Sequence, residues 1–236
     1  VRDPRPAAEA GAGRRPVRSY VRREGRITAA QARAIDKLLP DYAFPESDAA
    51  VDLPAVFGRR AHTTLEIGFG NGDALAELAA QHPERNYIGV EVHRPGVGRL
   101  LMRLERDGIE NVRIAPRDAA EVLRNEIADD ALDEILIYFP DPWPKKRHHK
   151  RRLVQGEFAL LISAKLAVGG RVGLATDWPD YAEQMRLVLN GTPGLENLGA
   201  DGGFSGRPPG RPPTKFEERG AARGHEVFDL AYRRVA

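Results

Sequence analysis

Two rhythms of apolar and polar residues alternate along this chain, and the changes of rhythm mark its elements. Short β-branched or aromatic runs bounded by glycine, proline or acidic residues read as buried strands, and apolar residues three and four apart read as helices. Strands are expected over Thr63–Ile67, Tyr87–Val92, Val112–Ala115, Ile135–Phe139, Arg171–Ala175 and Glu226–Tyr232. Helices are expected over Asp73–Gln81, Gly96–Arg106, Ala119–Ile127, Gln155–Leu166 and Tyr181–Leu189. Upstream, Thr28 suits the N-cap of a helix over Ala29–Leu39, with Ala30, Ala34 and Leu38 at helical spacing and Pro40 ending it. Asp41 to Arg60 reads as loop and short turns.

Regular alternation of strand and helix predicts an α/β fold, a doubly wound and mostly parallel sheet with helices on both faces and the final strand antiparallel. The Gly/Pro-dense stretch from Gly199 to Pro213 (GADGGFSGRPPGRPP) reads as a mobile surface loop inside that domain, because the chain must still return to the sheet. The expected organisation is a disordered tail over 1–13, a basic arm and helix over 14–60, and one domain over 61–236.

Charge adds position rather than amount. Thirty-six Lys and Arg stand against 34 Asp and Glu, a net charge of +2, so a polyanion site must come from clustering. One cluster is Arg14, Arg15, Arg18, Arg22, Arg23 and Arg26, interleaved with Val17, Tyr20 and Val21. The other is Lys145, Lys146, Arg147, His148, His149, Lys150, Arg151 and Arg152. The chain has no cysteine, which excludes disulfides, thiolate zinc sites and cysteine nucleophiles. No apolar run approaches the roughly 20 residues of a bilayer span. The Arg-rich start lacks the apolar core of a secretory signal, so a cytoplasmic location is expected. The adjacent His148 and His149 have no partner at metal-ligand spacing, and no metal is expected.

The candidate chemistry collects at strand ends. Gly68, Gly70 and Gly72 lie between the first strand and its helix, where glycine permits positive φ and close approach of a ligand. A plain tight turn would use glycine too. Glu66, inside that strand's end, is costly to bury without a purpose. Glu91 ends the second strand, where such folds place an acid on ribose hydroxyls. The dinucleotide spacing G-x-G-x-x-G is not met, since Ala74 and Leu75 follow the glycines. Glu66 disfavours a pyrophosphate and suits a cationic ligand such as the ammonium of S-adenosylmethionine. Asp118, past the third strand, suits an adenine amino group, although each acid taken singly would serve equally as a cap or surface residue. Asp141 follows the fourth strand on a turn stiffened by Pro140, Pro142 and Pro144, with Trp143 available to stack on a base and the cationic run beside it.

These residues carry a family likeness. From Arg14 to Arg234 the chain resembles the bacterial tRNA (guanine-N7-)-methyltransferases: in Arg14–Arg26, in Leu65–Gly72 (LEIGFGNG), in Gly89–His93 (GVEVH) and above all in Phe139–His148 (FPDPWPKKRH). Thr176-Asp177 and Thr214-Lys215-Phe216-Glu217 with Gly220 complete it. The resemblance implies a Rossmann-like fold and methyl transfer from S-adenosylmethionine to N7 of a guanine in the tRNA variable loop. It further implies that Glu66, Gly68, Gly70, Glu91 and Asp118 bind the cofactor and that Asp141 is the functional acid. Lys145, Asp177, Thr214, Lys215, Phe216 and Glu217 would contact the substrate, and Arg147, His148, His149, Lys150, Arg151 and Arg152 the RNA. A monomer with tRNA as its partner, no membrane and no obligate protein partner is the matching expectation. Two other readings compete with it. An enzyme methylating an exocyclic amino group would use an Asp/Asn-Pro-Pro-aromatic turn, to which Asp141-Pro142-Trp143 is a near miss. A non-catalytic RNA-binding partner would have little use for the four acids.

Overall fold

The protein is described by a computed structural model over residues 25–213, 217 and 224–236. The tail over 1–13, the arm up to residue 24 and the segment Thr214, Lys215, Phe216 with Gly220 lie outside the described residues. In chain order the elements are α1 (Ala29–Tyr42), α2 (Leu53–Phe57), β1 (Thr63–Ile67), α3 (Asp73–Gln81), β2 (Asn86–Val90), α4 (Arg94–Asp107), β3 (Val112–Ala115), α5 (Ala119–Asn125) and β4 (Leu132–Tyr138). A 3-10 helix (Lys146–Arg151) follows, then α6 (Gly156–Lys165), β5 (Leu166–Thr176), α7 (Pro179–Asn190), β6 (Leu195–Asn197), a 3-10 turn (Ala200–Gly202) and β7 (Phe228–Arg234).

The strands form one sheet in the order β3-β2-β1-β4-β5-β7-β6. β1 to β5 pair in parallel, and β7 runs antiparallel to both β5 and β6. After β1 the chain winds outward to β2 and β3, then returns to place β4 on the other side of β1. That reversal opens a crevice at the carboxyl ends of β1 and β4, where ligands sit in open α/β sheets. Every residue of β1 and β2 is buried, as parallel strands covered on both faces require. One face carries Leu65, Ile67, Ile88, Val90, Ile135 and Ile137, packed with Phe158, Ile162 and Tyr181 of α6 and α7. The other carries Tyr87 and Ile114, covered by Leu75 of α3, Leu100 and Leu101 of α4, and Ile35 and Leu38 of α1. On this second face Glu66, Gly89, Leu136 and Gly173 share one row across four strands.

Of the differences from expectation, three have a clear tertiary reason. Pro40 lies inside α1, which runs on to Tyr42. The residues beyond are pinned to the sheet edge, with the Phe44 amide donating to the Ile114 carbonyl at 2.9 Å. Gly169 (φ 88°) and Gly170 lie within β5 rather than before it, at the register shift between Leu132–Leu166 and Glu134–Arg171 pairing, where they let the strand bulge. β6, three residues long, exists by pairing with β7, and no alternation announces so short a strand. The Gly199–Pro213 stretch is tethered rather than free: the Ser205 amide donates to the Asp229 carbonyl, Phe204 packs on Phe228 at 5.1 Å, and Arg211 is buried. Among the described residues no helix is long and apolar enough to cross a membrane.

Candidate active site

The turn after β1 is built for close approach of a ligand. Gly68, Gly70 and Gly72 have φ of 74°, 59° and 73°, values that side chains with a Cβ rarely adopt. The Gly68 amide donates to the Val90 carbonyl at 2.8 Å and prolongs the β1–β2 ladder by one bond. Gly96 at the start of α4 is as constrained for another reason, since a Cβ there would lie 1.9 Å from the Gly70 carbonyl oxygen. Glu91 braces the same turn: one carboxylate oxygen accepts from the Gly70 amide at 2.8 Å, and the other from the Val92 and His93 amides at 2.7 and 2.8 Å.

Glu66 is 3% exposed, and its Oε2 has no hydrogen-bond partner among the described residues. Burial first, and the neighbouring Glu91 carboxylate second, push its carboxyl up to about 8. An acid in this condition is costly unless something else completes it. Glu66 lines a cleft of 650 Å³, shared with Gly68, Gly70, Glu91, Tyr138 and Asp141.

Another wall of that cleft is the proline turn. Phe139 (φ 50°) and Trp143 (φ 44°) both stand in the left-handed region and bracket Pro140-Asp141-Pro142. Each such residue costs about 1–2 kcal/mol, and strain of this kind persists where surrounding structure holds it. The two prolines supply no amide donor, and the Phe139 amide ties the start of the turn to the Ala175 carbonyl at 2.8 Å. Asp141 is exposed at the cleft rim. Trp143 is flanked by the Arg151 guanidinium 4.6 Å from its ring centroid and by His148 edge-on at 5.8 Å.

The cationic run is the 3-10 helix, with Lys145 at its N-cap. Lys145, Lys146, Arg147 and Lys150 are exposed, and His148, His149 and Arg151 are half-buried. Partial desolvation, followed by Arg147, Arg151, Lys145 and Lys150, holds the His148 imidazole below its ordinary range. Arg152 is turned inward, its side chain 1% exposed, bonded to Pro142, Gln184 and Asp180. The structure therefore does not bring Arg152 to the surface expected of an RNA contact.

The sequence-derived residues separate into groups. Glu66, Gly68, Gly70, Glu91 and Asp141 line one cleft, which Asp118 does not. The Asp118 side chain caps α5, accepting from the Ala120 and Glu121 amides, while its neighbours Arg117 and Ala119 line the cleft. Asp177 lies 3.3 Å from His225. Glu217 is held by Arg211 at 2.9 and 3.0 Å and by Arg207. Tyr138, a cleft residue that sequence reasoning missed, is hidden in an apolar run. Its position as the last residue of β4, in the row above Glu66, was the available signal.

A methyltransferase family model (Methyltransf_4) matches residues 60–230. The tRNA (guanine-N(7)-)-methyltransferase of Alkalilimnicola ehrlichii is 56% identical over 229 residues, covering 96% of either chain. That of Xanthomonas oryzae is 58% identical over 223 residues, covering 94% of this chain and 88% of the relative. The chain belongs to the tRNA (guanine-N(7)-)-methyltransferase family. Among solved structures, the 16S rRNA methyltransferase KamB superposes with a TM-score of 0.58 at 14% identity, covering 82% of this chain and 98% of that one. At that identity the likeness speaks for the Rossmann-like methyltransferase fold, and the family assignment rests on sequence. Within the family frame, the near miss to an Asp/Asn-Pro-Pro-aromatic turn is explained. Pro140 and Pro142 flank Asp141 instead of following it, so the acid is presented between two stiff residues.

Proposed function

We propose that this chain transfers a methyl group from S-adenosylmethionine to N7 of a guanine in the variable loop of tRNA, forming 7-methylguanosine. The observation that carries the reading is the cleft itself. It is lined by a buried acid, Glu66, whose Oε2 has no hydrogen-bond partner among the described residues, and by Asp141 on a strained proline turn that leads into a cationic helix.

The residues fit the cofactor. Glu66 offers a buried, unpartnered acceptor suited to an ammonium group, and the three glycines leave the turn backbone bare beside it. Glu91 holds that turn in shape and stands where ribose hydroxyls bind in such folds. Asp118 orients the Arg117–Ala119 backbone through its cap. S-adenosylmethionine supplies the methyl group on a positively charged sulfur.

Guanine N7 carries a lone pair and no proton, so no general base is needed. What remains for the protein is alignment and charge: the base becomes cationic as it accepts the methyl group, and a fixed carboxylate favours that change. Asp141 takes this role, with Trp143 as a stacking surface. Lys145, Asp177 and the segment Thr214, Lys215, Phe216 and Glu217 contact the nucleotide. Lys146, Arg147, His148, His149, Lys150 and Arg151 meet the phosphates. The proposed setting is a monomer acting on tRNA in the cytoplasm.

The test is methylation of an unmodified tRNA transcript with methyl-labelled cofactor, followed by nuclease digestion and mass spectrometry of the nucleosides. The label is expected in 7-methylguanosine from the variable loop. Label on an exocyclic nitrogen, or no incorporation, would overturn the reading.

A further inference from the structure

Arg152 ends the cationic run in sequence but not in space. Its Nε donates to the Pro142 carbonyl at 2.9 Å, and its two terminal nitrogens donate to Gln184 and Asp180, each at 2.5 Å. The guanidinium lies over the Tyr181 ring at 4.8 Å. Three of these four partners belong to α7, and the fourth is the proline turn. The Pro142 carbonyl belongs to the peptide that leads into Trp143, the residue at φ 44°. A donor fixed on that oxygen sets the tilt of the peptide plane, and with it the direction in which Asp141 and Trp143 leave the backbone. The turn is held at its entry, where the Phe139 amide donates to the Ala175 carbonyl at 2.8 Å, and at its exit by the Arg151 and His148 contacts to Trp143; Arg152 is the hold on the carbonyl between them. Pro140 and Pro142 lack amides, and positive φ at both ends disfavours the observed conformation.

We propose that Arg152 is a positioning residue for methyl transfer: α7 fixes its guanidinium, which fixes the Pro142 carbonyl and so aims the turn bearing Asp141. This rests on the role given to Asp141 above. Arg152 touches neither substrate nor phosphate. It acts through the backbone of another residue, and its value lies in the planar fork that reaches a carbonyl on one side and two acceptors on the other.

Arg152→Lys keeps the charge and loses the fork, so it separates positioning from phosphate contact. Misaiming a reacting group by about an ångström can cost up to a hundredfold in rate, and a fall in kcat of about tenfold is expected. The KM for the cofactor and the salt slope of tRNA binding should stay at wild-type values. The effect should also vanish when its target is gone: in an Asp141→Asn background, Arg152→Lys should cost less than about twofold more. Gln184→Met removes one acceptor without changing charge and lies on α7, away from the cationic face. It should lower kcat in smaller measure with the same dependence on Asp141, and it decides the matter if Arg152→Lys does not fold. Wild-type kcat in Arg152→Lys, a reduced salt slope, or an equal loss in both backgrounds would each overturn the inference. An impaired Asp141→Asn with an additive Arg152→Lys sinks this inference alone. A fully active Asp141→Asn sinks the role proposed for Asp141, and this inference falls with it.

Discussion

Replacing Glu66 by glutamine should stabilise the protein while weakening its binding of the cofactor. In the folded chain the carboxyl is held at about 8, against an ordinary 4.5, because burial and the adjacent Glu91 oppose its charge. The folded state therefore holds this proton more tightly than the unfolded one. Stability linked to it is complete below about pH 4.5 and is lost as pH rises towards 8, at about 1.4 kcal/mol per pH unit and with a ceiling near 5 kcal/mol. Glu66→Gln, which cannot ionise, should be a few kcal/mol more stable than wild type at pH 8.5 and nearly equal to it at pH 4.5. Urea denaturation of both proteins across that range measures the difference directly. A cationic group bound beside Glu66 would favour the carboxylate, so binding should release a proton. At pH 7 a group titrating near 8 is about nine-tenths protonated, so calorimetry in buffers of different ionisation enthalpy should report close to one proton released, and almost none at pH 9.5. Glu66→Gln should abolish the release and weaken binding. A constant stability difference between pH 4.5 and 8.5, or binding heats independent of buffer at pH 7, would refute the account of Glu66 as an acid completed by its ligand.

Three other outcomes follow from the same structure. Gly96→Ala places a methyl group 1.9 Å from the Gly70 carbonyl oxygen, so the turn must move. Cofactor affinity measured by calorimetry should fall at least tenfold, whereas in denaturation Gly68→Ala, with open space around it in the cleft, should cost about 1 kcal/mol of backbone strain, and its methyl group, facing the cleft, should weaken cofactor binding as well. Arg211→Met strands Asp229, whose carboxyl burial already pushes up, without its cation. A loss of about 3 kcal/mol at pH 7 is expected in urea denaturation, shrinking as pH falls and the acid takes up a proton. Neutralising Lys146, Arg147 and Lys150 together should reduce the slope of log affinity for tRNA against log salt by about one per lost phosphate contact, read by filter binding at several salt concentrations.

Much of this protein is written in local pattern. The parallel strands announce themselves because both faces are buried, which leaves no room for polar residues except where one has a task. Glu66 within Leu65-Glu66-Ile67 was visible for that reason. The glycines of Gly68–Gly72 were visible because positive φ has few other occupants, and Asp141 because two prolines flank it. Chain order also carried the location of the cleft, since alternation implies a sheet whose carboxyl ends share one edge.

What sequence could not supply were the partners of long charged side chains. Arg151 and Arg152 are adjacent and chemically identical, yet one reaches over Trp143 and the other is buried against α7. Arg211, in a stretch with the composition of a solvated loop, lies buried against Glu217, Asp229 and Tyr138. Asp118 was legible as an acid at a strand end, but that its side chain caps α5 depends on the path of the next few residues. A strand or a glycine turn is specified by forces acting over a few neighbouring residues. The fate of a guanidinium depends on which carbonyls and carboxylates lie within its reach of several ångströms, and those arrive from segments about 10 to 30 residues away once the sheet has closed.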